Sequence, residues 1–193
     1  MNVILLDYGM GNLRSVQRAL EAAGASVRRA ERLVGAADGG RVVLPGVGAF
    51  AQAVARLRAS GAWDDVSAHL DAERPLLGIC LGMQLLFETS EEHGRTRGFG
   101  AFPGDVVHLS TQGAPTVPNM GWHRLDDGSW AYFAHSFGVP VRGIAPAWVH
   151  STIHHGSGGW VASARSGSLH AYQFHPEKSS AAGIARLKEW LAC

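Results

Sequence analysis

The stretch LLGICLGMQLLF, residues 76–87, places Cys80 between two glycines where a strand-like run of residues meets a helix-like run. Gly78 and Gly82 lack a Cβ, so neighbouring backbone can pass close to the turn between the two runs. A strand, a tight turn and a helix in this order are typical of a nucleophile elbow, with cysteine where many hydrolases carry serine. The elbow predicts a Cys80 side chain lifted above the carboxyl edge of a sheet, with the helix GMQLLFETSEE (82–92) favouring its thiolate. The alternative is a free cysteine that packs as a small apolar residue.

The residues before the elbow predict an α/β fold. Short apolar runs without alternation are typical of parallel strands covered on both faces. These runs are VILLD (3–7), RVVLP (41–45) and PLLGI (75–79). Helical patterns lie between them at 13–23, behind Asn12 as the cap, at 49–59 and at 62–71. This alternation indicates a mostly parallel central sheet flanked by helices.

The second half of the chain is richer in strand-like segments. They are DVVHL (105–109), WAYFAH (130–135), AWVHSTI (147–153), GWVASAR (159–165) and LHAYQF (169–174). An amphipathic helix follows, in which Ile184, Leu187 and Leu191 share one face. Because no linker or repeat separates the halves, we expect a single domain over residues 1–193, with the second half adding antiparallel strands to the sheet.

Composition narrows the classes of function. A net charge of +1 with 17% charged residues lacks the basic surface that binds nucleic acid. The longest apolar run is shorter than the ~20 residues of a membrane-spanning helix. The amino-terminal residues show no basic lead or cleavage-site pattern, and the two cysteines form no C-x-x-C motif. We therefore expect a cytoplasmic protein that binds neither a membrane nor nucleic acid.

A cysteine nucleophile needs a base and a group that orients the base. In YQFHPEKSS, His175 ends a predicted strand and Glu177 follows two residues later. Positions i and i+2 of an extended chain share a face with Cα atoms ~6–7 Å apart, which suits a carboxylate–imidazole hydrogen bond. Pro176 biases His175 toward the extended conformation. The pair predicts the base and its orienting carboxylate, and the alternative is a strand-end turn with an incidental ion pair.

The glycine-rich segment LPGVGAF (44–50) allows two interpretations. It fits the loose dinucleotide pattern G-x-G-x-x-A, but the acidic residues Asp64 and Asp65 fall within a helical pattern instead of at a strand end. The second interpretation is a flexible turn around Val47 that presents backbone N–H groups to an oxyanion. A third motif, HSTIHH (150–155), lacks the spacing of a metal site, so we expect no bound metal.

The motifs together resemble the class I, or triad, glutamine amidotransferases. GICLGMQLLFE and QFHPEKS carry the wider resemblance. Other motifs are similar to the glutaminase subunits of imidazole glycerol phosphate synthases, namely DYGMGNLRSV (7–16), LPGVGAF, VPNMGWH (117–123), YFAHSF (132–137) and HPEKSS (175–180). The resemblance covers the chain from near residue 3 to near residue 190 and implies no cofactor.

The resemblance implies a catalytic triad in which Cys80 attacks the side-chain amide of glutamine, His175 transfers the proton and Glu177 holds the imidazole. It places the oxyanion hole at the backbone N–H groups of Val47 and Leu81. The implied glutamine-binding residues are Gly48, Gln84, Ser136 and Phe137.

The resemblance also implies a partner. In the family, ammonia passes to a separate cyclase subunit with a (β/α)8 barrel, forming a heterodimer that acts in histidine biosynthesis. Such a barrel needs ~250 residues, more than this chain has. The implied interface residues are Asn12, Trp122, Tyr132 and Lys178.

Three residues depart from the family pattern. Asn119 and His123 stand where relatives usually carry histidine and asparagine, and Phe137 stands where tyrosine is frequent. Two other functions stay open, a stand-alone cysteine hydrolase and a non-catalytic nucleotide-binding module that uses PGVG.

Overall fold

A computed structural model describes residues 1–33, 40–142 and 144–193 of the chain. Within these ranges, the largest sheet contains seven strands. They are β1 (Asn2–Leu6), β2 (Ser26–Ala30), β3 (Arg41–Leu44), β4 (Leu76–Ile79), β11 (Val149–His155), β12 (Gly158–Ser166) and β13 (Leu169–Tyr172). The spatial order is β11-β12-β13-β4-β3-β1-β2.

The remaining strands form two smaller sheets. They are β5 (Phe87–Ser90), β6 (Thr96–Arg97), β7 (Phe102–His108), β8 (Asn119–Arg124), β9 (Trp130–His135) and β10 (Phe137–Gly138). Strands β10, β7, β5 and β6 form one sheet, and β8 and β9 form an antiparallel hairpin. The helices are α1 (Leu13–Ala22), α2 (Phe50–Ser60), α3 (Ala62–Asp71), α4 (Leu81–Leu85) and α5 (Ser180–Ala192).

The directions of the strands confirm the predicted fold class. Strands β13, β4, β3, β1 and β2 pair in parallel, and β11 and β12 extend the sheet in antiparallel fashion. All residues of β3 and β4 are buried, as expected for strands covered on both faces. No helix in the described ranges is long and apolar enough to cross a membrane.

Successive side chains of the parallel strands pack into two different hydrophobic clusters. In β1, Val3 and Leu5 lie in the cluster that includes residues of α1 and α5. Ile4 and Leu6 lie in the cluster that includes residues of α2 and α3. This follows from the two-residue period of a strand, and each fully buried side chain of this size contributes ~1.5–3 kcal/mol. The helices therefore cover the sheet on both faces, and the ends of its strands are left to form sites.

The sequence-based prediction of the elements is wrong about the length of one helix, and it misses strands β2, β5, β6, β8 and β10. The helix predicted over 82–92 stops at Leu85, because the next residues form β5, which pairs with β6 and β7 and buries Phe87 completely. Strand β2 escaped prediction because it is an edge strand whose polar sequence SVRRA leaves most side chains accessible. Pairing with distant strands overrides local propensity in both segments.

Candidate active site

Cys80 occupies the predicted elbow between β4 and α4. Its backbone has φ 54° and ψ −109°, in the left-handed half of the Ramachandran plot, where non-glycine residues are uncommon. Its N–H donates to the carbonyl of Tyr172 in the neighbouring strand β13 at 2.7 Å, and its carbonyl accepts from the Gln84 N–H at 3.1 Å. The sheet and the helix thus both hold the backbone that carries the sulfur.

The two glycines of the elbow allow close contact between backbones. A Cβ on Gly82 would overlap the carbonyl oxygen of Leu44 in β3. A Cβ on Gly78 would lie 2.7 Å from the carbonyl oxygen of Gly82. Both positions exclude any larger residue, which is the reason that the sequence places glycines around Cys80.

His175 and Glu177 lie together beneath the surface. The His175 Nδ1 and the Glu177 Oε1 are 2.8 Å apart, and the two side chains are only 6% and 2% exposed. The His175 N–H donates to the Tyr132 carbonyl at 2.8 Å, and its carbonyl accepts from the Ser179 hydroxyl at 2.6 Å. The short 3-10 turn Pro176–Lys178 carries the carboxylate back to the imidazole.

The imidazole of His175 also interacts with the Cys80 sulfur, so the structure brings the three predicted catalytic side chains together. Burial by itself would lower the pKa of His175. Hydrogen bonding to Cys80 and to Glu177, together with their negative charges, outweighs burial and raises this pKa well above its ordinary value. The arrangement therefore sets a base, oriented by a carboxylate, beside the cysteine, as nucleophilic catalysis by a thiol requires.

A cavity of about 410 Å³ opens beside Cys80 at the carboxyl end of β4, and we name it the carboxyl-end cavity. The lining residues are Val47, Gly48, Ala49, Cys80, Leu81, Gln84, Glu92, Ala134, His135, Ser136 and Phe137. All residues predicted to bind glutamine or to form the oxyanion hole are among them. Their individual roles stay predictions.

The polar residues of the site that the sequence did not predict include Glu92 and Gln173. Glu92 lines the cavity, and its carboxylate accepts the Phe50 N–H at the start of α2 at 2.7 Å. Gln173 is 1% exposed, and its Nε2 lies 3.8 Å from the Cys80 Sγ. The signal for Gln173 was available, because a polar residue within the strand-like segment LHAYQF needs a buried partner. Glu92 had no such signal, since it was assigned to a helix.

Three of the four predicted interface residues form one cluster. The Trp122 ring packs edge-on against the Tyr132 ring with centroids 6.1 Å apart, and the Lys178 Nζ lies 5.6 Å from the centre of the Tyr132 ring. Trp122 is 46% exposed. Asn12 is exposed and immediately precedes α1, which packs against the 176–178 turn. The side chain of Asn12 makes no capping hydrogen bond to the helix.

The departures from the family pattern lie in and beside the β8–β9 hairpin. Asn119 is 1% exposed, with its Nδ2 3.1 Å from the Nε2 of His135. The His123 ring contacts the rings of His155 and Phe133 edge-on. Phe137 lines the carboxyl-end cavity.

The structure gives little support to a nucleotide site or a metal site. Asp64 and Asp65 lie in α3, where Asp65 pairs with Arg32 at 2.6 Å instead of standing at a strand end. In the part of the chain that the structure describes, no group of three histidine, cysteine or acidic side chains is arranged to hold a metal ion.

Comparisons with known proteins agree with this geometry. The family model of class-I glutamine amidotransferases matches residues 4–190. The imidazole glycerol phosphate synthase subunit HisH of Leifsonia xyli is 42% identical over 208 residues, covering 98% of this chain and 97% of the relative. The HisH subunit of Synechococcus sp. (strain JA-2-3B'a(2-13)) is 40% identical, covering 99% of this chain and 92% of the relative.

A longer relative and a solved structure add to these matches. The chloroplastic imidazole glycerol phosphate synthase hisHF of Arabidopsis thaliana is 38% identical over 98% of this chain, which spans only 34% of that relative. A crystal structure of a glutamine amidotransferase superposes with a TM-score of 0.76 over 99% of both chains at 18% identity, and supports the fold alone. The chain belongs to the class-I glutamine amidotransferase family, among the HisH subunits of imidazole glycerol phosphate synthase.

Proposed function

We propose that residues 1–193 form a single glutaminase domain that hydrolyses glutamine and delivers the ammonia to a cyclase partner. The observation that carries the proposal is the placing of Cys80 on the strand–helix elbow at the wall of a cavity of about 410 Å³, with the buried imidazole of His175 held by Glu177 just beyond the neighbouring strand β13. Such a set of groups suits acyl transfer from an amide, because it supplies a nucleophile, a base and a group that orients the base.

In the first half-reaction, the Cys80 thiolate attacks the side-chain carbonyl carbon of glutamine. The imidazolium of His175 gives its proton to the amide nitrogen as the C–N bond breaks, so ammonia leaves and a γ-glutamyl thioester remains. In the second half-reaction, His175 takes a proton from water, and the hydroxide attacks the thioester. Glutamate leaves, and the thiolate–imidazolium pair forms again.

The negative oxygen of each tetrahedral intermediate needs hydrogen-bond donors. We assign this role to the backbone N–H groups of Val47 and Leu81, which both line the carboxyl-end cavity. Leu81 is the first residue of α4, and the first N–H groups of a helix have no acceptor within it. Gly48 has φ 98°, a conformation that favours glycine and lets the turn around Val47 approach the sulfur.

The polar residues of the cavity suit the two ends of a glutamine molecule. The Glu92 carboxylate can pair with the α-ammonium group, since it reaches the cavity beside Gly48. The Gln84 amide nitrogen donates to the Phe137 carbonyl and to Gln173 at 2.8 and 3.1 Å, so its oxygen is the group left to accept from the substrate. Ser136 supplies a further hydroxyl at the wall.

A partner surface is supported by the cluster of Trp122, Tyr132 and Lys178. Exposed aromatic residues beside a cation are enriched at protein interfaces. The backbone carbonyl of Tyr132 accepts a hydrogen bond from the backbone N–H of His175, so this surface is directly connected to the residue that carries the catalytic base. The hisHF relative extends well beyond the region this chain matches, as expected for a fusion with a partner. The names of the relatives support the (β/α)8 cyclase of imidazole glycerol phosphate synthase, in histidine biosynthesis, as that partner.

The experiment is an assay of glutamate release with the chain alone, with the cyclase subunit, and with the cyclase plus its ribonucleotide ligand. We expect weak release alone and strong stimulation by the loaded cyclase. Equal release in all three conditions would support a stand-alone cysteine hydrolase. No release in any of them would contradict the proposal and leave the nucleotide-binding module.

A further inference from the structure

The buried amide of Gln173 is the feature that the proposed chemistry does not use. It lies between β13 and His175 and is 1% exposed. Its Nε2 is 3.8 Å from the Cys80 Sγ, and its Oε1 accepts from the Gln84 Nε2 at 3.1 Å. An amide buried in this way is costly unless both of its ends are satisfied, so its direction matters.

The direction of this amide is fixed by a carbonyl group that can only accept hydrogen bonds. The Phe137 carbonyl oxygen lies 2.8 Å from the Gln84 Nε2 and 2.8 Å from the His135 Nδ1. The amide nitrogen of Gln84 must therefore face Phe137, and its second hydrogen reaches the Oε1 of Gln173. Gln173 must in turn present its own NH₂ group, and not its oxygen, to the sulfur.

The same logic extends to the β8–β9 hairpin. Because the His135 Nδ1 donates to Phe137, its Nε2 is an acceptor in the neutral ring, and the Asn119 Nδ2 donates to it at 3.1 Å. Burial keeps this ring neutral by lowering the pKa of His135 to about 4. Asn119 and His135 are 1% and 6% exposed. The Phe137 carbonyl thus accepts from His135 on one side and from Gln84 on the other, and it sets the direction of the Gln84 amide whichever way the hairpin residues bond.

We propose that Gln173 is a positioning residue for Cys80, held in the required direction by Gln84 and the Phe137 carbonyl. Its N–H group stabilises the thiolate and offers the sulfur a donor at 3.8 Å, while the Ala134 carbonyl, 4.0 Å away, can only accept from the thiol. An uncharged donor can do this without taking the proton that His175 must hold. A role of the Gln173–Cys80 hydrogen bond in catalysis rests on the proposed function, whereas the hydrogen bond itself does not.

The test is the pH profile of alkylation of Cys80 by iodoacetamide. Cys193, the other free cysteine, is exposed, so the parent protein and every variant in this test also carry Cys193→Ser. Gln173→Met removes the donor at similar size, and Gln173→Glu replaces it with a negative acceptor. The titratable groups that interact with the sulfur, Tyr8 and His175, stay in place in both variants.

We expect Gln173→Met to move the midpoint of the alkylation profile up by about one pH unit, the size of a lost hydrogen bond to a charged group. Gln173→Glu should move it further, because a carboxylate repels the thiolate. Ser163→Ala serves as the control for a buried polar residue whose hydroxyl bonds to Ser151 and not to the sulfur, and it should leave the midpoint unchanged. An unchanged midpoint in both Gln173 variants would overturn the proposal.

The role of Gln84 is tested by a double-mutant cycle. Gln84→Met should shift the midpoint in the same direction by a smaller amount, because it frees the Gln173 amide to turn, and Gln84→Met with Gln173→Met should shift it no more than Gln173→Met alone. Additive shifts would show that Gln84 does not act through Gln173. Alkylation needs neither glutamine nor the partner, so a parent protein that alkylates as expected but releases no glutamate would contradict the proposed function and leave this inference standing.

Discussion

Two cavities lie at opposite ends of β4 and β13, and the larger one lacks the catalytic groups. The amino-end cavity measures about 520 Å³ against about 410 Å³ for the carboxyl-end cavity. The residues that line it include Glu73, Arg74, Phe99, Trp148 and Ser168. It therefore offers charge and aromatic surface, but neither a cysteine nor a histidine is among its lining residues, whereas Cys80 lines the smaller cavity.

In this protein the direction of the strands is therefore a better guide to the catalytic site than the volume of a cavity. Parallel strands all send their following turns to the same edge, so Val47 after β3, Cys80 after β4 and His175 after β13 meet there. At the amino ends of β4 and β13, the turns that precede the strands meet, and the Ser168 hydroxyl donates to the Glu73 carbonyl. Matched substitutions at the two ends can test this contrast.

The largest expected effect is that of Cys80→Ala, compared with Ser168→Ala in the amino-end cavity. Removing the thiol that lies beside the carboxylate-held imidazole should reduce glutamate release to background, whereas Ser168→Ala should keep it. The Cys80→Ala protein should still support synthesis by the cyclase when ammonium salts replace glutamine. Loss of that ammonia-dependent synthesis would indicate structural damage and would remove the contrast between the two ends.

Glu177→Gln should have the next largest effect, with Glu73→Gln as its matched control. The substitution leaves an amide beside the His175 Nδ1, so the imidazolium loses its charge partner and its fixed orientation. We expect kcat/KM for glutamine to fall by about 10²–10⁴-fold. Glu73→Gln should change it by less than about twofold. Similar losses in both variants would break the comparison.

Trp122→Ala should weaken binding of the cyclase subunit. The side chain is 46% exposed and packs on Tyr132, so its truncation should raise the Kd by about 30-fold, equivalent to ~2 kcal/mol at an interface anchor. Trp148→Ala, in the amino-end cavity, is the control and should leave the Kd unchanged. Isothermal titration calorimetry measures both values, and an unchanged Kd for Trp122→Ala would place the interface elsewhere.

The smallest effect concerns two buried histidines, His135 at the carboxyl end and His170 near the start of β13. Burial lowers the pKa of each to about 4 in the folded protein. The unfolded chain takes up protons at higher pH, so the free energy of unfolding should fall as the pH drops from about 6.5 toward about 4. His135→Gln and His170→Gln should each reduce this slope in denaturant titrations. Only His135→Gln should also alter glutamate release, and equal effects on release would contradict the contrast.

The sequence predicted the site better than it predicted the edges of the fold. Cys80 with its glycines, and His175 with Glu177, are local patterns whose chemistry can be read within a few residues. Because each pattern lies at the end of a strand in a sheet predicted to be mostly parallel, the two were expected to meet at the same edge of the sheet. Strands β2 and β5 are among those that escaped prediction, because their own sequences lack a strand pattern and only pairing with other strands reveals them.

Residues that act through long-range contacts were also missed. Glu92 reaches the cavity because β5 ends at Ser90 and the residues after it run toward the start of α2. Gln173 gains a role from hydrogen bonds to Gln84 and Cys80, which no local spacing relates to it. Only the assembled sheet edge shows these contacts.

The central claim is that the Cys80 sulfur is the group that attacks glutamine. The most direct measurement is mass spectrometry of the protein after incubation with a γ-diazoketone analogue of glutamine, which alkylates a nucleophile in a glutamine pocket. We predict a single adduct on the peptide that carries Cys80, blocked by excess glutamine and greatly slowed in Glu177→Gln. An adduct on Cys193 alone, or labelling that glutamine does not reduce, would contradict the account.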